Sequence, residues 1–181
     1  MKLIENRWNN CQDKYENTWL ADDESELNAG FDPDGAVGSS VCVISTGDVW
    51  IKNSKGQWLI SQRAASRPTF PLMWECVGGS VTAGEDSLTG AIREAKEEVG
   101  VDLEPEQGKR VNTTIREHFQ DIKDDWVFVY DGEIDLRKAT TDEVADMRWM
   151  TVEEIRALFE AGELVHTLGY FFDDPQLGGQ A

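Results

Sequence analysis

The densest chemistry in this chain lies in Arg93-Glu94-Ala95-Lys96-Glu97-Glu98. Glu94, Glu97 and Glu98 stand at i, i+3 and i+4, so a helix would project their carboxylates from one surface. Like charges at that spacing destabilise a helix in water by roughly 0.2–0.5 kcal/mol per pair. Along a cleft the same crowding is an oxygen cage for a hard divalent cation, magnesium first and manganese as the alternative ion. Such a cation commonly bridges carboxylates to substrate phosphates. Arg93 adds a planar guanidinium able to fix a carboxylate's orientation. Alone, the run reads as a solvated acidic face. Its context changes that reading: Gly78-Gly79 and Gly84-Glu85 bracket a short loop that enters the helix, and glycine lets backbone approach a ligand closely.

The elements that must hold these residues follow from patterning. Leu88, Ala91, Ile92, Ala95 and Val99 form one apolar stripe, predicting a buried helix face over Asp86–Val99. Asp86 or Ser87 caps its start, and Gly100 sits where a left-handed glycine ends a helix. Runs flanking Lys55-Gly56 predict a β-hairpin. Residues 64–74, with two prolines, predict a loop that delivers the chain to WECVGG. Further strands are expected at 111–119 and 126–135, the latter from the β-prone run WVFVY. A second helix is expected over 151–161, with a Thr151/Glu154 capping box and Ile155, Leu158 and Phe159 on its apolar face. The element order implies an α/β fold, a mixed sheet between helices.

Measured as spacing, Gly79 is followed by five residues and Glu85, then seven residues and Arg93-Glu94, then Glu97-Glu98, Gly100 and Val101. This resembles the Nudix box, Gx5Ex7REUxEExGU, where U is aliphatic. Ala95 departs from it only in being small. An aromatic before the glycine pair (MWECVGG) and the late segment MRWMTVEEI extend the resemblance over residues 37–172. It implies a Nudix-type α/β/α sandwich around a mixed β-sheet, preceded by an extension and linker (1–36) and followed by a tail (173–181). The implied activity is hydrolysis of the pyrophosphate bond of a nucleoside diphosphate linked to another moiety. Glu94, Glu97 and Glu98 would be the metal ligands, Glu85 a supporting carboxylate and Arg93 the orienting residue. The general base would be Glu143, in TTDEVADMRW, with His118 as the alternative and His166 behind it. Gly78 and Gly79 would shape the entry to the site. Arg63 and Gln62, at a strand end, are placed to reach substrate phosphates. Trp74 and Phe70 are placed to stack on a nucleobase or to fill the core.

The bulk numbers narrow the partners. With 35 acidic against 17 basic residues, the chain carries a formal net charge of −18, which repels long nucleic acids but not a small phosphorylated ligand bound through a cation. No apolar run is long enough to span a bilayer and MKLIENRWNN lacks a secretory h-region, so a cytoplasmic address is the default expectation. The three cysteines, Cys11, Cys42 and Cys76, lack paired spacing and read as reduced thiols. Trp8, Tyr15 and Trp19 in the extension have two outlets, packing on the domain or on a second copy in a homodimer. Two other functions compete. Isopentenyl diphosphate isomerase shares the resemblance but has its cysteine directly before the loop glycine, whereas here Val77 holds that place and Cys76 is one residue early. A non-catalytic binding module would be expected to lose a box carboxylate or the arginine, and all are present.

Overall fold

The computed structural model describes residues 43–82, 85–116 and 121–179. The extension 1–36 with its aromatics, Cys11, Cys42, Gly84 and His118 lie outside the described residues. Seven strands form one mixed sheet: β1 Val43–Lys52, β2 Trp58–Arg63, β3 Trp74–Glu75, β4 Val77–Ser80, β5 Gly108–Arg116, β6 Asp121–Val129 and β7 Val144–Met150. The order is β3-β2-β1-β6-β5, with β4 paired to β1 and β7 to β2. β1 and β6 run parallel, and the other pairs are antiparallel. The expected hairpin joins β1 to β2: Asn53 Oδ1 accepts from Lys55 N at 3.0 Å and Gln57 N at 2.9 Å, and Gly56 takes φ 80°.

Strand alternation divides the core in two. Val49, Ile51, Leu59 and Val77 face the first helix, α1 (Ser87–Val99), and meet Ala91, Ala95 and Val99. Trp50, Trp58, Ile60 and Cys76 face the other way, onto Ile155 of the second helix, α2 (Val152–Glu160), and onto Leu168 and Phe171 of a C-terminal 3₁₀ segment. The sheet thus has a helical layer on each face. Ala95 is fully buried on the α1 side, where a small residue fits without opening the stripe.

Both helices begin as their caps dictate. Asp86 accepts from Thr89 N at 2.8 Å, and Gly100 closes α1 with φ 67°. Thr151 and Glu154 form the reciprocal box that starts α2. Phe159, expected on the buried face of α2, is instead 36% exposed and leans on Phe172. β6 starts five residues earlier than expected and ends at Val129. Its polar opening, IKDD, belongs in the sheet because each charge finds an internal partner: Lys123 bonds Asp48 and Asp125, and Asp124 accepts from Ser87 and Thr113. Residues 173–179, expected as a tail, pack on the domain, with Leu177 buried in the second core.

Candidate active site

The site assembles where β3 and β4 pass under α1. Arg93 is its hub and uses every donor. Its Nε and Nη2 reach Glu85 at 2.9 and 3.1 Å, Nη1 reaches Glu94 at 2.9 Å and Glu97 at 3.0 Å, and Nη2 also donates to Ser80 O at 2.7 Å. Glu85 in turn accepts from Thr82 N at 3.1 Å, tying the glycine loop to the helix. Burial pushes the Glu85 carboxyl up, but the Arg93 and Thr82 hydrogen bonds outweigh it and hold the group below its ordinary range.

Glu94 and Glu98 sit deeper. A Cβ added to Gly79 would lie 2.2 Å from Glu94 Cδ, so the carboxylate rests directly on the glycine. Glu98 is 8% exposed and accepts from Gly78 N at 3.4 Å. Burial drives its carboxyl well above the usual range, and the charges of Glu94, Glu75 and Glu143 add to that. Burial also raises Glu94 and Glu75, against the pull of Arg93 and Arg63 respectively.

Two members of this group escaped the sequence reading. Glu75 lies two residues before Val77 on the α1 side of β3–β4, and alternation back from Val77 would have revealed it. Arg67 pairs with Glu143 at 3.1 Å, and Ala64 N donates to Glu143 O at 2.7 Å, bringing the expected general base to the cluster's edge. No pattern marks an arginine in an irregular loop.

Other expected residues fall differently. Arg63 binds Glu75 at 2.6 Å and Thr69 through both O and Oγ1, so three of its five N–H donors are spent on pinning the loop. Trp74 is 6% exposed with Arg148 stacked over its ring, which makes it core and not a surface for a base. Phe70 is exposed beside His166, at 5.1 Å between ring centroids. Cys76 is buried in the second core, on the sheet face away from Val77 and α1, and burial pushes its thiol up. That orientation turns the thiol away from the sheet face on which α1 packs, as expected for a one-residue offset on a strand.

The donor set suits a divalent cation in chemistry: all oxygen, and a buried Glu98 whose charge faces three other carboxylates. Among the described residues, no three such side chains already stand together as a ready metal cage. Arg93 lies between Glu85, Glu94 and Glu97 and offsets one of their three charges.

Comparison with known proteins agrees with this architecture. The NUDIX domain family matches residues 45–169. An uncharacterised Nudix hydrolase of Listeria innocua is 38% identical over 128 residues, covering 68% of this chain and 71% of the relative. The crystal structure of a MutT protein from Methanosarcina mazei superposes with a TM-score of 0.56 at 24% identity, covering 73% of this chain and 91% of that one, a likeness of fold. An isopentenyl-diphosphate Delta-isomerase of Shigella flexneri is similar over only 57 residues, 39% identical and 31% of each chain. The chain belongs to the Nudix hydrolase family. No helix among the described residues is long and apolar enough to cross a membrane.

Proposed function

We propose that this protein is a magnesium-dependent pyrophosphohydrolase acting on a small nucleoside diphosphate derivative. The observation that carries this reading is the gathering of carboxylates at the glycine pair: Glu94 against Gly79, Glu98 under Gly78 N–H, and Glu97 and Glu85 joined to them through Arg93. Glu94, Glu97 and Glu98 would hold the cation, with Glu85 in support. When bound, magnesium lowers the pKa of a water and offsets phosphate charge.

The chain's own residues do the rest. Arg93 fixes the carboxylates' directions through its fork of hydrogen bonds. Gly78 and Gly79 keep the strand bare of side chains where the phosphates approach. Glu143, held by Arg67 at the rim, accepts the proton of the attacking water as its oxygen bonds to one phosphorus and the bridging oxygen leaves. The buried, averted Cys76 gives no support to an isomerase-type protonation.

The test is a panel of ADP-ribose, an oxidised nucleoside triphosphate, a nucleotide sugar, NADH and a dinucleoside polyphosphate, each with magnesium, with manganese and with chelator. Cation-dependent release of phosphate or nucleoside monophosphate is expected from at least one, and Glu97→Gln should abolish it. No turnover across the panel, or an undiminished Glu97→Gln enzyme, would sink the reading.

A further inference from the structure

Arginines 63, 67 and 93 border the carboxylate cluster, and Arg67 is the one with donors to give. Arg93 spends its donors on Glu85, Glu94, Glu97 and Ser80, and Arg63 is committed to Glu75 and Thr69. Among the described residues, the one polar partner of the Arg67 side chain is Glu143, whose Oε1 lies 3.1 Å from Nη1, and Arg67 Nε is buried with no hydrogen bond. The two side chains of that pair are 33% and 34% exposed, and an ion pair so wetted contributes little to stability. The backbone beneath it is fixed. Arg67 N donates to Ala64 O at 3.1 Å, and Thr69 O accepts from Arg63 Nε at 2.9 Å. Leu72 N donates to Arg63 O at 3.2 Å, and the loop is held firmly enough to keep Phe70 at φ 49° and Leu72 at φ 64°, in the left-handed region. A rigid loop thus carries a guanidinium that is barely committed. It stands at the site: Glu143 precedes Val144, Val144 pairs with Arg63 between β7 and β2, and Arg63 holds Glu75. Burial first, and then neighbouring charges that include Glu143, raise the carboxyls of Glu94 and Glu98.

We infer that Arg67 is a latch on the base: it pairs with Glu143 in the free protein and turns to the substrate's diphosphate when that group arrives, leaving Glu143 to the attacking water. The inference rests on the pyrophosphohydrolase reading for the diphosphate and for Glu143 as the base. A phosphate offers a guanidinium two oxygens in its fork geometry, against the single 3.1 Å contact that Arg67 gives up. Nε belongs to that fork and has no partner to surrender. Arg93 cannot make the same move without releasing the carboxylates it directs, nor Arg63 without releasing the loop. The exchange also meets an electrostatic need. The incoming diphosphate brings negative charge to a group of carboxylates, and Arg67 supplies a cation to it in the same movement that frees Glu143. The proton then passes from the attacking water to Glu143, and the exchange itself makes or breaks no covalent bond. Substrate binding and availability of the base are thereby one event.

The test is calorimetric binding of imidodiphosphate, a diphosphate analogue that resists hydrolysis, to the full chain with magnesium. Arg67→Ala should weaken it about tenfold and Arg67→Lys, which keeps the charge but loses the fork, about threefold. Glu143→Gln should tighten it about threefold, because the guanidinium no longer has a competing carboxylate, and that tightening should vanish in the double variant Arg67→Ala/Glu143→Gln. A purely structural ion pair predicts instead that Glu143→Gln leaves the affinity unchanged or lowers it. General relief of repulsion predicts that the tightening survives in the Arg67→Ala background. Either result overturns the inference, as does undiminished binding by Arg67→Ala or no imidodiphosphate binding by the parent protein. Arg67→Gln closes the same cycle should the alanine variant fail to fold. If the coupling is found while no panel compound is hydrolysed, the Arg67 exchange stands and the hydrolase reading falls. Hydrolysis without the coupling keeps the hydrolase and removes the latch.

Discussion

Replacing Gly79 with alanine separates site geometry from fold more sharply than removing any carboxylate. The new Cβ would lie 2.2 Å from Glu94 Cδ and 2.3 and 2.6 Å from its oxygens. Non-bonded carbons settle at about 3.5–4.0 Å, so the carboxyl must retreat by more than about 1 Å. Its 2.9 Å bond from Arg93 Nη1 is then lost or dragged with it. Displacements near 1 Å at reacting groups cost about 100-fold in rate, or about 2.7 kcal/mol of barrier. Stability should barely change, because Gly79 is not among the positive-φ glycines and what yields is a side-chain tip. The entropy gain of about 0.4–1 kcal/mol from glycine to alanine offsets the lost contact. The assays are kcat against magnesium concentration and urea unfolding without metal. A folded Gly79→Ala enzyme with kcat within threefold of the parent would refute the reasoning. Gly78 is the contrast: its Cβ would meet Gly47 O at 2.7 Å, and backbone cannot step aside, so Gly78→Ala should lose roughly 1–3 kcal/mol of stability.

Other expectations concern charge and anchoring. Glu98 and Glu75 have carboxyl pKa values raised by burial, so their protonation contributes stability that is present below the unfolded-state value and lost as pH rises through the folded one. Metal-free protein should therefore lose stability from these groups upward from about pH 4.3, and Glu98→Gln should lessen that loss in melts across pH with chelator. Asp124→Ala strands the hydroxyls of Ser87 and Thr113, and unfolding titrations should show a loss of about 2–4 kcal/mol. Arg63→Lys keeps a cation for Glu75 but loses the fork to Thr69. Limited proteolysis should then cut within 64–73 faster, with the rest of the domain intact, and equal cleavage rates would contradict the pinning role.

The helix that carries the carboxylates was legible because caps, stripe and ligand spacing all act within one contiguous segment. Glu85, Arg93 and Glu97 therefore lie where the pattern put them. What the pattern missed depends on contacts across the chain. The charged opening of β6 resembles a turn until Asp48, Ser87 and Thr113 are seen to satisfy it. Glu75 hid in a strand of two residues, too short to display alternation unless read together with Val77. Trp74 and Phe70 are four residues apart and look alike in sequence. Only the loop's enforced turn decides that one is core and the other faces water.

The loop before β7 is attached to α1 by main chain: Glu97 O accepts from Thr140 N at 2.9 Å, Thr141 N at 3.2 Å and Thr141 Oγ1 at 3.2 Å. A peptide carbonyl is the same whatever side chain its residue bears. Position 97 can thus be changed to any ordinary residue without undocking the segment that carries Glu143. Nature and the engineer alike can alter the chemistry of one wall of the site while inheriting the alignment of the other. Single substitutions here report on the group removed, not on a collapsed frame.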